Sequence, residues 1–381
     1  MSRSRPSVAF LMRHVHHYRE GFYFGLKEEL GRRGIDFDLI HGEPSPGEES
    51  KNDSVEPDWA LSRNNRVLRL GPVELIYQPV LREASTYDLV LVEQASRLVV
   101  NYAFHLKHLL RRGPLLGLVG HGANIAARPN VWGERFKRFT LQRSDWFFGY
   151  TSGTRDRLVA AGYPSDRITV FENTLDTTAL AADLHAVTAA DVQAFRHELG
   201  VHGQHLVLTI GSLYPDKRPD LILPISAKVS AMRDDVDFLV VGSGPSADET
   251  ASAASEDAHV HVVGPLFGRQ KAIALAAADL LLVPGVAGLI VLDSFVAGVP
   301  IVTATNDHHP PEVDYLEPSI NCSFVSASEA SLFADEILRL LADPTERQHL
   351  AANAIRSGQP LTVDNMVRRF ADGVEAALAA G

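Results

Sequence analysis

Short apolar runs alternate with stretches of helical periodicity from one end of this 381-residue chain to the other. Such alternation predicts parallel βαβ units, because a strand buried on both faces reads as an unbroken apolar run while its crossover helix carries the amphipathic pattern. A first series contains VAFLM at 8–12, FDLIH at 37–41, LVLVE at 89–93, LLGLVG at 115–120 and ITVF at 168–171, with a helix over Tyr23 to Arg33 among its connections. A second contains LVLTI at 206–210, FLVV at 238–241, HVHVV at 259–263, LLLV at 280–283 and IVTA at 301–304. The polar, helical stretch from Ala189 to Gly200 separates them and places a boundary near 180–204. The expectation is an α/β protein of two Rossmann-like domains, residues 1–190 and 200–360. The final helix, within 363–381, follows a loop containing Pro360 and is free to pack back on the first half. The acidic segment from Glu43 to Trp59 reads as a surface loop.

Composition narrows the partners. A formal charge of −11 argues against nucleic acid, whose binding needs clustered Lys and Arg to displace counterions, yet leaves a small anion in one positive pocket open. Cys322 is the single cysteine, so no disulfide closes within the chain and redox chemistry is not expected. The apolar run Val8 to Met12 is too short for a signal-peptide core, and the stretch Leu280 to Leu292 is broken by Pro284 and glycines before the ~20 residues that span a bilayer. Together these predict a cytoplasmic protein.

In open parallel sheets, ligands bind beyond the carboxyl ends of the strands, where loops lead into helix N-termini. In the second half such ends carry Gly211-Ser212-Leu213, Gly242-Ser243-Gly244 and Gly264-Pro265-Leu266. Any one of these glycines is accounted for by a turn; their joint placement is what marks a site. Lys217 and Arg218 stand just ahead of a helix in an otherwise acidic chain, a pairing suited to a diphosphate or simply a solvated loop pair. In PGVAGLIVLDSFVAGVP, Gly288 precedes a helix whose first N–H groups, at Leu289 and Ile290, have no partner within it. Asp293, one turn on, is placed to take ribose hydroxyls or merely to cap.

The segments GSLYPDKRPDLIL, VVGSGP, HVVGPL, LLLVPGVAGLIVLDSFVAGVPIVTA and PPEVDYL, in that order and spacing, resemble the donor-binding half of the retaining GT-B glycosyltransferases of family 4. The likeness covers most of 205–330 and extends more loosely into the first half through VGHG and YTSGTRDRLVAAGYPSDRITVFENTLD. It implies two Rossmann-like domains facing across a cleft, a nucleotide-sugar donor, and no metal or other cofactor. By the same resemblance Lys217 neutralises the donor diphosphate, while Ser212 occupies the place of the family's neighbouring arginine. Gly264, Pro265 and Leu266 contact the nucleobase, and Gly288, Leu289 and Ile290 supply backbone donors to phosphate. Asp293 stands for the second glutamate of the family's paired-glutamate pattern. The first glutamate is absent, its place taken by Gly285, which bears on the identity of the transferred sugar. His121 of VGHG matches the histidine that faces the reacting sugar.

On the acceptor side, HVHHYREGFYFGL places His16, His17, Arg19 and Glu20 where many relatives have glycines, and Glu93, followed by Gln94 and Arg97, ends a strand nearby. The alternative is a helix start with solvated polar residues. Asp36-Phe37-Asp38 and Asp235-Val236-Asp237 have the look of a metal-binding pair but lie at strand starts, away from the ligand end. His308, His309 and Glu312 are interrupted by two prolines and read as a loop. The basic, aromatic stretch 132–143 suits peripheral contact with anionic lipid, or a solvated helix face. The function expected is sugar transfer from a nucleotide-sugar to a saccharide, lipid-linked or natural-product hydroxyl. A catalytically silent partner subunit and a sugar-nucleotide epimerase or hydrolase are the alternatives.

Overall fold

A computed structural model describes residues 5–43, 54–70, 73–94, 98–110, 113–122, 141–306 and 308–381. The chain forms two compact units, Met1–Leu175 with Val363–Gly381, and Asp176–Thr362. In the first, the strands of the main sheet are β1 (Ser7–Met12), β2 (Asp36–His41), β3 (Leu61–Ser62), β4 (Leu89–Glu93), β5 (Leu115–Gly120), β6 (Trp146–Gly149) and β7 (Ile168–Val170). They lie side by side in the order β7-β6-β5-β4-β1-β2-β3, all parallel. The apolar strands are buried on both faces because helices cover both. Helix Glu20–Arg32 turns Phe22, Tyr23, Leu26 and Leu30 inward, the spacing of one helical face.

The final helix, Val363–Ala380, buries Met366, Val367, Phe370, Val374 and Ala377 against this same unit. The ring of Phe370 stacks on Phe148 at 4.4 Å between centroids and lies 5.8 Å from Phe10, so the last helix completes the core of the first unit.

The second unit contains β8 (His205–Ile210), β9 (Val236–Val241), β10 (Val260–Val263), β11 (Leu280–Val283), β12 (Ile301–Ala304) and β13 (Cys322–Val325). Their order is β10-β9-β8-β11-β12-β13, again all parallel. The expectation divided the chain near 180–204; residues 176–190 fall in the second compact unit. Helices Thr177–Ala186 and Ala189–Glu198 pack on helix Gly268–Ala276, and Arg269 of that helix donates to Asp191 at 2.8 Å and to the Ala186 carbonyl at 3.1 Å.

Both strand orders reverse direction once, between β1 and β4 in the first unit and between β8 and β11 in the second. At such a reversal the connecting helices leave to opposite faces, and a crevice opens beyond the strand ends. The sheets therefore name two places to look, and candidate residues stand at each.

Candidate functional site

In the second unit the loops after β8 and β11 meet across the crevice. The Asp216 carbonyl accepts the Val286 N–H at 3.1 Å, and the Lys217 ammonium donates to the Val286 carbonyl at 2.7 Å. A third bond comes from His309, whose Nδ1 accepts the Ala287 N–H at 2.9 Å, leaving Nε2 to donate to the Ala304 carbonyl at 2.8 Å. These bonds fix the loop that delivers Gly288, Leu289 and Ile290 to the start of helix Ile290–Ala297. Burial lowers the pKa of Lys217, opposed by the charges of Glu312 and Asp216. A partly desolvated ammonium at the mouth of a helix N-terminus is a strong seat for a phosphate oxygen.

Gly285 is buried beneath this arrangement. A Cβ there would lie 2.1 Å from the Asp216 carbonyl oxygen and 2.6 Å from the Lys217 Cα, both backbone atoms. The space that a side chain at position 285 would need is thus filled by the turn that carries Lys217. Gly242 is constrained likewise: a Cβ would fall 1.8 Å from the Gly211 oxygen, because the loops after β8, β9 and β10 are laced together by Gly211 N–H to Val241, Leu213 N–H to Ser243 and Gly242 N–H to Val263. Gly244 belongs to the same lacing. Ser212 is exposed at the rim, as are Gly264 and Pro265, with Leu266 half-buried beside them.

Arg218 parts company with Lys217. Its guanidinium is engaged by the Asp220 carboxylate at 2.8 and 2.9 Å rather than turned toward the helix start. Asp293 is buried at 6% exposure and held by Lys271 at 2.7 Å, an ion pair between helices Ile290–Ala297 and Gly268–Ala276. Burial raises the Asp293 pKa, and Lys271 acts against that rise. Lys271→Met is expected to destabilise the protein by about 3 kcal/mol by leaving a buried carboxylate unpaired, and Asp293→Asn in the same chain to recover most of that loss. Urea unfolding of the single and double variants checks both figures; equal loss in the two would dismiss the pairing.

In the first unit the crevice lies between β1 and β4. Glu93, at the end of β4, accepts the Arg13 N–H at 3.1 Å with the Arg13 Nε at 3.5 Å, which ties the two strand ends together. Beyond β5, Gln94 accepts the Gly122 N–H at 3.0 Å and so sets the turn that presents His121. The imidazole packs edge-on against Tyr150 with centroids 4.5 Å apart, and the Arg19 guanidinium carbon lies 5.4 Å from the centre of the same ring. His16 stacks on Tyr18 at 5.2 Å, His17 is exposed, and Glu20 opens the first helix. Arg97 and residues 44–53 and 132–140 lie outside the described residues.

Burial, then the charges of Arg19 and Arg157, hold His121 down at about 4. An unfolded histidine titrates near 6.5, so between about 6.5 and 4 the unfolded chain binds the extra proton and stability rises with pH, a contribution on the order of 3 kcal/mol. It is fully present above about pH 6.5 and lost as pH falls toward 4. His121→Gln should therefore flatten the fall in urea midpoint between pH 7 and pH 5; a variant that parallels the parent across that window would contradict a buried neutral imidazole.

The two carboxylate pairs set aside as metal candidates are otherwise engaged. Asp38 accepts the Tyr87 hydroxyl at 2.7 Å, Asp235 pairs with Arg233, and Asp237 accepts the His202 and Gly203 N–H groups at 2.7 Å. Sequence reasoning set His309 and Glu312 aside as parts of a loop and gave them no role; Glu312 is buried in the short turn Pro311–Tyr315, where its charge acts on Lys217. It also passed over Lys271, Tyr150 and Arg157. An apolar signal marks a further residue, Phe267, 76% exposed beside the Gly264–Leu266 segment.

Residues 204–343 match the family described as Glycosyl transferases group 1. The D-inositol 3-phosphate glycosyltransferase of Mycobacterium tuberculosis is 30% identical over 189 positions, covering 45% of this chain and 38% of that protein. The chain thus spans well under half the length of the curated relatives it matches. Among solved structures, HepE of Anabaena in complex with UDP-glucose superposes with a TM-score of 0.67 at 16% identity, covering 97% of this chain and 99% of that one. Sucrose-phosphate synthase of Thermosynechococcus elongatus superposes with a TM-score of 0.66 at 15% identity, covering 99% and 100%. The fold is GT-B. Among the described residues, no helix is long and apolar enough to cross a membrane.

Proposed function

We propose that the chain transfers a glycosyl group, with retention of anomeric configuration, from a UDP-sugar bound by the second unit to a hydroxyl of an acceptor bound by the first. The observation that carries this reading is the Lys217 ammonium on the Val286 carbonyl, at the strand-order reversal and beside the Gly288–Ile290 helix start. It lies inside the segment that matches the glycosyltransferase domain. Uridine as the base is supported by HepE, whose structures hold UDP-glucose and UDP.

Departure of a nucleoside diphosphate leaves growing negative charge on its phosphate oxygens. Lys217 and the helix-start N–H groups are fixed before the reaction begins, so they stabilise that charge without reorganising, which is the work a divalent cation does elsewhere. His121, neutral at physiological pH, orients the sugar by hydrogen bonding rather than by taking a proton.

A thermal-unfolding screen with UDP, GDP, ADP and dTDP tests the donor. A ligand at one hundred times its Kd stabilises by about 2.7 kcal/mol, so UDP should raise the unfolding midpoint clearly and the others little or not at all. Absence of any shift at millimolar nucleotide would defeat the reading and leave a catalytically silent subunit. With a UDP-sugar and acceptor in hand, the anomeric proton coupling of the product reports retention.

A further inference from the structure

We infer that Phe267 is the platform on which the flat base of the donor nucleotide stacks. The inference rests on the second unit holding a UDP-sugar, as proposed above, and names the residue that holds its base. Phe267 is 76% exposed, the most exposed large apolar side chain among the described residues. A phenyl ring left in water forfeits the stabilisation that burial brings. It also stands where local structure asks for another residue. Phe267 is the N-cap of helix Gly268–Ala276, with extended backbone at φ −131° and ψ 161°, and its side chain makes no capping bond. Serine, threonine, aspartate and asparagine are favoured at such a place because their oxygens accept an N–H of the first turn. Elsewhere in the chain Thr151, Asp176, Thr188 and Asp343 do this. A residue that breaks the local rule and gains no burial is one whose side chain serves something other than the fold.

The place of the ring relative to the phosphate seat follows from one ion pair. Lys271 is the fourth residue of helix Gly268–Ala276 and Asp293 the fourth of helix Ile290–Ala297, and the two side chains meet at 2.7 Å. The helices therefore lie side by side with their starts level, each start beyond the carboxyl end of a strand, β10 for the first and β11 for the second. Packed helices stand about 8–10 Å apart. That spacing is of the order that separates the base from the terminal phosphate within one nucleoside diphosphate. The Gly288–Ile290 start has the Lys217 ammonium beside it, on the Val286 carbonyl at 2.7 Å, and the neighbouring start carries Phe267. The approach to the ring is open: Gly264 and Pro265 are exposed, and a Cβ on Gly264 would meet nothing within 4 Å. An aromatic face there meets the π-face of a base, and the contact removes apolar surface of both from water.

The test measures binding of UDP and of inorganic pyrophosphate to the full chain by titration calorimetry, in the parent, Phe267→Ser and Phe267→Tyr. Phe267→Ser should weaken UDP by about five- to a hundredfold, the span of one base–aromatic stack, and leave pyrophosphate unchanged because pyrophosphate has no base. Phe267→Tyr keeps the ring and should keep the affinity. Without ligand, the unfolding midpoint of Phe267→Ser should equal or exceed that of the parent, since serine caps the helix that phenylalanine leaves uncapped. Weaker UDP binding in an equally stable variant is a result that a structural role for the ring does not give. Unchanged UDP affinity in Phe267→Ser, or an equal loss of UDP and pyrophosphate, overturns the platform and leaves the transferase reading standing. A ring that instead joins two copies of the chain would make sedimentation of the parent, and not of Phe267→Ser, depend on concentration while UDP affinity stays the same in both, which also overturns it. A parent that binds no UDP removes the transferase reading and the platform together.

Discussion

On the proposed transferase reading, Gly285→Glu is expected to lower sugar transfer by at least about a hundredfold instead of improving it. The new Cβ would fall 2.1 Å from the Asp216 oxygen, and the contacts are main chain, which cannot rotate aside as a side chain would. The turn Pro215–Lys217 must lift, breaking the Val286 N–H to Asp216 bond and withdrawing the Lys217 ammonium from the Val286 carbonyl. Overpacking of this kind costs roughly 1–3 kcal/mol of stability, and the lost phosphate contact adds the larger loss in rate. Gly285→Ala should behave almost as badly, since the clash begins at Cβ. Rates and unfolding midpoints of the two variants check this. An active Gly285→Glu would mean that the turn is free to move and that the missing carboxylate limits the enzyme.

The second large effect is expected at Lys217. Lys217→Met keeps most of the buried stem and removes the charge, and should reduce kcat by roughly a hundred to a thousandfold, the range seen when one preorganised electrostatic donor is lost. Affinity for UDP should fall as well, because the diphosphate carries charge before the bond breaks. Lys217→Arg should rescue poorly: the ammonium makes a single short bond to Val286 in a confined place, and a planar fork does not fit the same point. Steady-state kinetics that divide the loss between KM and kcat distinguish ground-state binding from stabilisation of the departing phosphate. A near-normal kcat in Lys217→Met would remove Lys217 from the chemistry.

Much of the fold was legible because both sheets are parallel and buried, so their strands stand out as apolar runs between helices. LVLVE, LLGLVG, LLLV and IVTA coincide with β4, β5, β11 and β12 residue for residue. Two of the strands overlooked are instructive. Trp146–Gly149 is a short aromatic run with no alternation to mark it, and Cys322–Val325 is an edge strand carrying a polar residue on its half-buried face.

Site placement was legible at the level of loops and not of side chains. That Lys217 follows a strand end and that Gly288–Ile290 lead into a helix were legible, since a strand end and a helix start are local features. That Asp293 is bound by Lys271 and that Gly285 lies under a turn are relations between segments distant in sequence, while Arg218 pairs with Asp220 only two residues on, a rotamer choice that spacing does not report. Pairwise choices of this kind depend on which helix packs beside which, and no periodicity reports them. His309 makes the same point: the two prolines after it argued against a regular α-helix, yet the loop that holds it is pinned at both ring nitrogens.

Because Phe370 comes from helix Val363–Ala380 and stacks on rings of β1 and β6, the first unit cannot finish its core until the chain has been made beyond the second unit. The second unit, by contrast, is contiguous and can fold as soon as it emerges from the ribosome. During synthesis the earlier half therefore waits with Phe10, Phe22 and Phe148 uncovered while the later half matures, which is the high-contact-order interval in which nascent chains are prone to aggregate. The order of assembly runs opposite to the order of translation.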